Sequence, residues 1–295
     1  MNGQKSLNQL RREIDAIDTQ IHDLLMARTR VVEQVRDLKR GQKIKIRPAR
    51  EAEILYRLAA RHEGVFPLRD LSHIWRVIIM ATLSIEGPFS IAVHMPKNGS
   101  GLWDLARDQY GIFTDMTGFG SVRRVIDAVQ TQKATVGILP LPSRGEADPW
   151  WPHLANTNSD RPRVIARLPF AGSGNTREPG LEALAICPVA QEPTEHDRTL
   201  IAIEASNSVS TRTLNAALKT LGLETTDHHA WRDEQRPETW LTMIELTGFF
   251  AEDDRRLNRL GEALGDSVRR VVPLGGYGLP LPMAGLMTEA KGHAK

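Results

Sequence analysis

Seven polar residues near the start of this 295-residue chain have types and spacings that could do chemistry: Arg11, Arg28, Lys39, Arg50, Glu51, Thr82 and Glu86. Arg28 and Lys39 are three helical turns apart, so on one helix they share a face. Their long side chains can converge from about 16 Å of axial separation. Arg50 and Glu51 are adjacent and follow Pro48, while Thr82 and Glu86 stack at i and i+4. A pocket drawn from this set is cationic with one or two carboxyls, and it suits a small dianion. Arginine grips carboxylates bidentately and lysine supplies a point charge. Arg11 lies about 42 Å along the same helix from Lys39. It is therefore either a surface residue or part of a site built by another chain. Taken singly, each charge is also what a solvated surface looks like, and Thr82 alone is an ordinary hydroxyl on a helix face.

The element that must position most of these groups runs from Ser6 to about Gly41, without proline or internal glycine. Leu7, Leu10, Ile14, Ile17, Ile21, Leu24, Val31, Val35 and Leu38 alternate at spacings of three and four, a heptad seam. Such a helix spans roughly 50 Å, so it must pack along its length against partner helices, in this chain or a second one. Arg28 occupies a seam position. An unpaired buried charge is very costly, so it implies either an ion pair or an anionic ligand. A short amphipathic helix follows from Pro48 to about His62, and a third from about Leu68 to Glu86, stopped by Gly87-Pro88.

Composition narrows the class. Net charge is +2, with 38 basic and 36 acidic residues, which argues for no polyanion such as nucleic acid as a partner. No run of 18 apolar residues suggests a membrane span, and the polar start MNGQKSLNQL has no signal-peptide core. One cysteine, Cys187, excludes an intrachain disulfide and suits the cytoplasm. The nine histidines show no metal-ligand spacing, and no cofactor is implied.

From Phe89 the period changes to α/β. Strands are expected at Phe89–Val93, Thr135–Leu139, Val164–Leu168 and Ala183–Cys187, with helices at Leu102–Tyr110 and Val122–Gln132. From Thr199 the order is β-α-β-β-α-β, the split βαβ plan. The tail after Gly275-Gly276 is expected to be poorly ordered.

Residues 7–86 resemble the all-helical class of chorismate mutase. The residues that carry the likeness are Leu10-Arg11-Arg12-Glu13-Ile14-Asp15-Ala16-Ile17-Asp18, Leu24-Leu25-Met26-Ala27-Arg28, Lys39, Arg47-Pro48-Ala49-Arg50-Glu51, and Ile78-Ile79 leading into Thr82 and Glu86. The resemblance implies an intertwined homodimer of three-helix protomers, each site borrowing Arg11 from the partner's first helix. It implies that Arg11, Arg28 and Arg50 bind the two carboxylates of chorismate and that Lys39 meets the ether oxygen. Glu51 would accept from the ring hydroxyl, with Thr82 and Glu86 completing the site. Arg47 stands where some members have Asp, and Glu86 where many have Gln. The implied reaction is a Claisen rearrangement to prephenate, which needs no nucleophile, metal or cofactor. It asks only that a compact conformer be held and the charge developing on the ether oxygen be stabilised. Lys39, Glu86 and Arg28 are the catalytic candidates, and Glu86 can assist only as the protonated acid.

Residues 89–276 resemble a reduced prephenate dehydratase. Met95-Pro96-Lys97-Asn98-Gly99-Ser100 stands at that family's first loop, and Val136-Gly137-Ile138-Leu139-Pro140 at the strand before its Pro-Ile-Glu-Asn motif. Here the motif reads Pro140-Leu141-Pro142-Ser143. Where the catalytic Thr-Arg-Phe belongs, the chain has Glu182-Ala183-Leu184; Thr176-Arg177-Glu178 lies nearby without the Phe. No dehydratase activity is expected. Residues 199–274 resemble an ACT domain, ending in Leu274-Gly275-Gly276-Tyr277, with its effector stretches altered to Val209-Ser210-Thr211-Arg212 and His229-Ala230-Trp231-Arg232.

The expectation is a multidomain chain: an all-α mutase at 1–87, a partial, non-catalytic α/β region at 88–196, a βαββαβ ferredoxin-like ACT region at 197–278 and a tail at 279–295. The expected function is a cytoplasmic, homodimeric chorismate mutase of aromatic amino acid biosynthesis, with an amino-acid effector possible at the ACT-like region. The alternatives are a regulatory protein that binds a metabolite of that pathway without turnover, and a bifunctional enzyme with residual dehydratase activity.

Overall fold

The computed structural model describes residues 5–38, 41, 44–97, 99–156, 158–174, 177–178, 180–234 and 236–282. Three helices come first: α1, Leu7–Leu38; α2, Pro48–Ala60; and α3, Leu68–Glu86. α1 opens on a reciprocal cap. The Gln9 amide donates to Ser6 Oγ, and the Ser6 amide donates to Gln9 Oε1. α2 carries Pro48 in its first turn, where a missing N–H costs nothing.

The helices divide their loyalties. Ala52, Leu55 and Leu68, from α2 and α3, pack with Phe170 and Leu281, while Met80 and Leu83 enter a core with Ile91, Leu105 and Tyr110. α1 meets α3 but has no buried residue. Its seam side chains Leu7, Leu10, Ile14, Ile17, Ile21, Leu24 and Val31 all face solvent in the single protomer.

Beyond the helices, nine strands among the described residues form one sheet in the order β2-β1-β3-β5-β4-β9-β6-β8-β7. Its members are β1, Ser90–His94; β2, Asp115–Phe119; β3, Val136–Pro140; β4, Arg163–Leu168; β5, Ala183–Cys187; β6, Asp197–Ala205; β7, Thr225–Arg232; β8, Trp240–Thr247; and β9, Val268–Gly278. β1 pairs in parallel with β2 and β3, through the crossover helices α4, Gly101–Tyr110, and α5, Val122–Gln130. α6, Thr211–Thr220, and α7, Arg255–Leu264, cover Ile201, Ile203 and Ile244 on one face of the later strands. On the opposite face, Trp150, Trp151 and Leu154 pack with Leu139, Leu200, Met243 and Tyr277. That cluster draws on strands from both sides of residue 197, and β4 pairs in parallel with β9 at Val164 and Gly275.

Two expectations are corrected. β2 is missing from the expected strands: Asp-Met-Thr-Gly-Phe is an edge strand that is largely open to solvent, so no apolar alternation marks it. The segment after Gly275-Gly276 is strand, not loose tail. β9 runs through both glycines to Gly278, and the Leu281 amide donates to the Phe170 carbonyl at 2.8 Å. Residues 283–295 of the expected tail lie outside the described residues.

The glycines are there because two backbones meet. Gly275 has φ +104°, and a Cβ on it would lie 2.7 Å from the Val164 nitrogen and against the Val164 carbonyl. Gly275→Ala is expected to lose about 3 kcal/mol of stability from strain plus overpacking. Urea denaturation monitored by tryptophan fluorescence measures it.

Candidate active site

α1 and α3 meet at two of the candidate residues. Arg28 Nη1 donates to Thr82 Oγ1 at 3.1 Å. The Thr82 hydroxyl in turn lies within donating range of its own helix, 3.0 Å from the Ile78 carbonyl and 2.9 Å from that of Ile79. Thr82 is buried and Arg28 half-buried. No described carboxylate lies within ion-pair range of Arg28 in the protomer, so the ion-pair reading of this seam arginine finds no partner there. Burial lowers its pKa from the ordinary arginine value. The guanidinium stays charged, and it is under-solvated. One turn beyond Thr82, Glu86 has its Oε2 buried with no hydrogen-bond partner among the described residues. This face therefore presents a cation without a counter-charge and a carboxyl oxygen without a hydrogen-bond partner among the described residues, with an already engaged hydroxyl between them.

The remaining candidates lie elsewhere. Glu51, on α2, accepts from Arg76 Nη1 on α3 at 2.7 Å, both side chains being less than a tenth exposed. Desolvation raises the Glu51 pKa; the Arg76 charge, the Arg47 backbone N–H and the Arg76 hydrogen bond all pull it back. Arg50 is exposed and pairs with Glu53 at 3.1 Å. Arg11 is exposed on the first third of α1, and no hydrogen bond or ion pair joins it or Arg50 to Arg28 among the described residues. Lys39 lies outside the described residues.

Sequence reasoning missed Arg76. The available signal was its position: it interrupts an inward stripe of α3 formed by Leu68, Ser72, Ile79 and Leu83. A cation on such a stripe needs a buried acceptor, and Glu51 supplies it. Among the described residues no cluster of His, Cys, Asp or Glu could hold a metal ion, and no helix is long and apolar enough to cross a membrane.

This arrangement lies within one recognisable segment. Residues 10–87 match the family model for chorismate mutase type II. The chain is also 32% identical over 142 residues to a bifunctional chorismate mutase/prephenate dehydratase of Aquifex aeolicus, across 46% of this chain and 39% of the relative. A second protein of that description, from Pseudomonas aeruginosa, is 24% identical over 152 residues, across 50% of this chain and 41% of the relative. The chain thus spans about two fifths of the length of the curated relatives it matches. A solved prephenate dehydratase of Arthrobacter aurescens, in complex with L-Phe, is similar with a TM-score of 0.48 and 10% identity, over 66% of this chain and 92% of that one.

Proposed function

We propose that the helical region, residues 1–87, is a chorismate mutase that converts chorismate to prephenate without cofactor. The observation that carries this is Arg28. It is a half-buried guanidinium, hydrogen-bonded to Thr82 across two helices, with no described carboxylate to neutralise it, inside the segment that matches the mutase family model. Arg28, Arg50 and a partner-derived Arg11 grip the two substrate carboxylates. Lys39 meets the ether oxygen as its charge grows, Glu51 accepts from the ring hydroxyl, and Thr82 orients Arg28. The solvent-facing seam of α1 supports a homodimer in which the two long helices cover each other. The region from 197 to 278 is read as an ACT-like module. Its strand order β9-β6-β8-β7 with two helices on one face supports that reading, and an apolar amino acid is its candidate effector. The α/β region, 88–196, is read as non-catalytic, because Pro142-Ser143 and Glu182-Ala183-Leu184 replace the dehydratase motifs. A cytoplasmic location fits a biosynthetic enzyme.

The deciding experiment follows chorismate consumption with product identification. Prephenate as sole product supports the reading. Phenylpyruvate at neutral pH would make the α/β region catalytic, and binding without turnover would make the protein a regulatory one.

Glu86, with Oε2 buried and without a hydrogen-bond partner among the described residues, gives this mechanism a further test. A neutral hydrogen-bond donor at this position would stabilise the charge developing on the ether oxygen, and loss of the side chain removes that donor. Glu86→Gln is therefore expected to keep kcat within about threefold of wild type and Glu86→Ala to lower it about a hundredfold. Steady-state kinetics on both variants decides it; an undiminished kcat in Glu86→Ala removes Glu86 from the mechanism.

A further inference from the structure

Arg76 has no part in the mechanism above, yet its guanidinium ties three elements together. It is 7% exposed. It donates to Glu51 Oε2 at 2.7 Å, and its guanidinium carbon lies 4.9 Å from the ring centroid of Phe170, in the loop after β4. The Gln109 amide, on α4, faces Arg76; with its oxygen assigned to that side, as the donors and acceptors around it require, it accepts from Nη1 at 3.1 Å and from Nη2 at 3.3 Å. Tyr110, fully buried beside it, lies close enough for both charges to act on its hydroxyl. A planar guanidinium held by a carboxylate, an amide and a ring has one orientation available. The carboxylate of Glu51 is fixed in turn by Arg76 and the Arg47 backbone N–H. A carboxylate has about four lone-pair sites, so two donors fix its direction and leave acceptor capacity for a substrate hydroxyl.

We propose that Arg76 is a positioning residue for the mutase site, and that Phe170 and Gln109 hold it, so that the α/β region serves the rearrangement by orienting Glu51. The proposal rests on the mutase reading, with Glu51 as acceptor for the ring hydroxyl. It gives the region without dehydratase motifs a purpose, since residues more than twenty positions beyond the end of α3 set the orientation of an active-site carboxylate on α2. A helical piece cut free at residue 87 would lose both the ring and the amide.

The test uses the full chain. Arg76→Ala strands Glu51 as a buried unpaired charge and risks unfolding, so the informative variants are Phe170→Leu and Gln109→Met. Each is expected to lower kcat about tenfold through misorientation, with KM for chorismate within about twofold, because the arginine grip on the carboxylates is untouched. In a Glu51→Gln background, which no longer offers Arg76 a charged acceptor, neither variant is expected to lower kcat further. Phe250→Leu, which removes a comparable cation–ring contact with Arg256 in the core under α7, is expected to leave kcat unchanged. Wild-type turnover with undiminished kcat in Phe170→Leu and Gln109→Met overturns the proposal. So does an equal loss with and without Glu51, which would mark a purely structural role. Absence of turnover in the wild type overturns the mutase reading itself.

Discussion

Arg28→Ala is expected to lower kcat/KM for chorismate about a thousandfold, some 4 kcal/mol of transition-state stabilisation, in a chain that still folds. Hydrogen bonds to charged groups contribute roughly 1.5–3 kcal/mol each, and a forked guanidinium makes two to a carboxylate. The fold should survive because Arg28 has a hydroxyl partner and no described carboxylate, so its removal strands no counter-charge. The lost stability is expected to be that of one hydrogen bond, about 1 kcal/mol. Arg28→Lys keeps the charge and loses the fork, and it is expected to recover only part of the activity. Steady-state kinetics beside a thermal melt separates the two effects. Near-wild-type kcat/KM in the alanine variant would show that the dianion sits elsewhere.

Charge introduced into the α1 seam is expected to abolish assembly and turnover together. Ile14, Ile17 and Ile21 are 56%, 53% and 51% exposed in the protomer, an apolar stripe that no described residue of the same chain covers. Burying such a side chain contributes roughly 1.5–3 kcal/mol, and two-fold symmetry applies each substitution twice. Ile17→Glu with Ile21→Glu is therefore expected to weaken dimerisation by more than a thousandfold, about 4 kcal/mol or more. Sedimentation velocity reads the assembly, and chorismate kinetics at matched concentrations read the activity. The same interface predicts complementation. Arg11→Ala and Arg28→Ala chains are each expected to keep only a trace of activity alone. Mixed and re-equilibrated, they are expected to recover about a quarter of wild-type sites, because half the dimers are mixed and each holds one intact site. A fully active monomer would sink both expectations.

Legibility in the sequence follows how local the signal is. The end of α3 at Glu86 is legible because Gly87-Pro88 stops a helix in any context. The unpartnered seam of α1 is equally plain, since heptad spacing needs no knowledge of what it packs against. β2 and the full length of β9 are hidden for opposite reasons. One is too exposed to show alternation, and the other carries Gly275, whose purpose lies in a strand more than a hundred residues earlier. At the site, Arg28 and Thr82 are legible as members of a set, and the structure joins them. Arg76 is not. Its meaning depends on Phe170 and Gln109, which sequence spacing cannot bring to α3.

The place of β9 in the sheet also sets the order in which the molecule can form. β9 lies between β4 and β6, and it is the last of the nine strands to leave the ribosome. Until it emerges, β4 has only β5 beside it, and β6 only β8. The edges of two half-sheets stay open throughout synthesis, and such edges invite pairing with other chains. The helices, built from local contacts, close early, whereas the sheet closes by the slow route of long-range pairing. A nascent chain is thus most exposed to misassembly in the interval between completing Thr247 and completing Gly278.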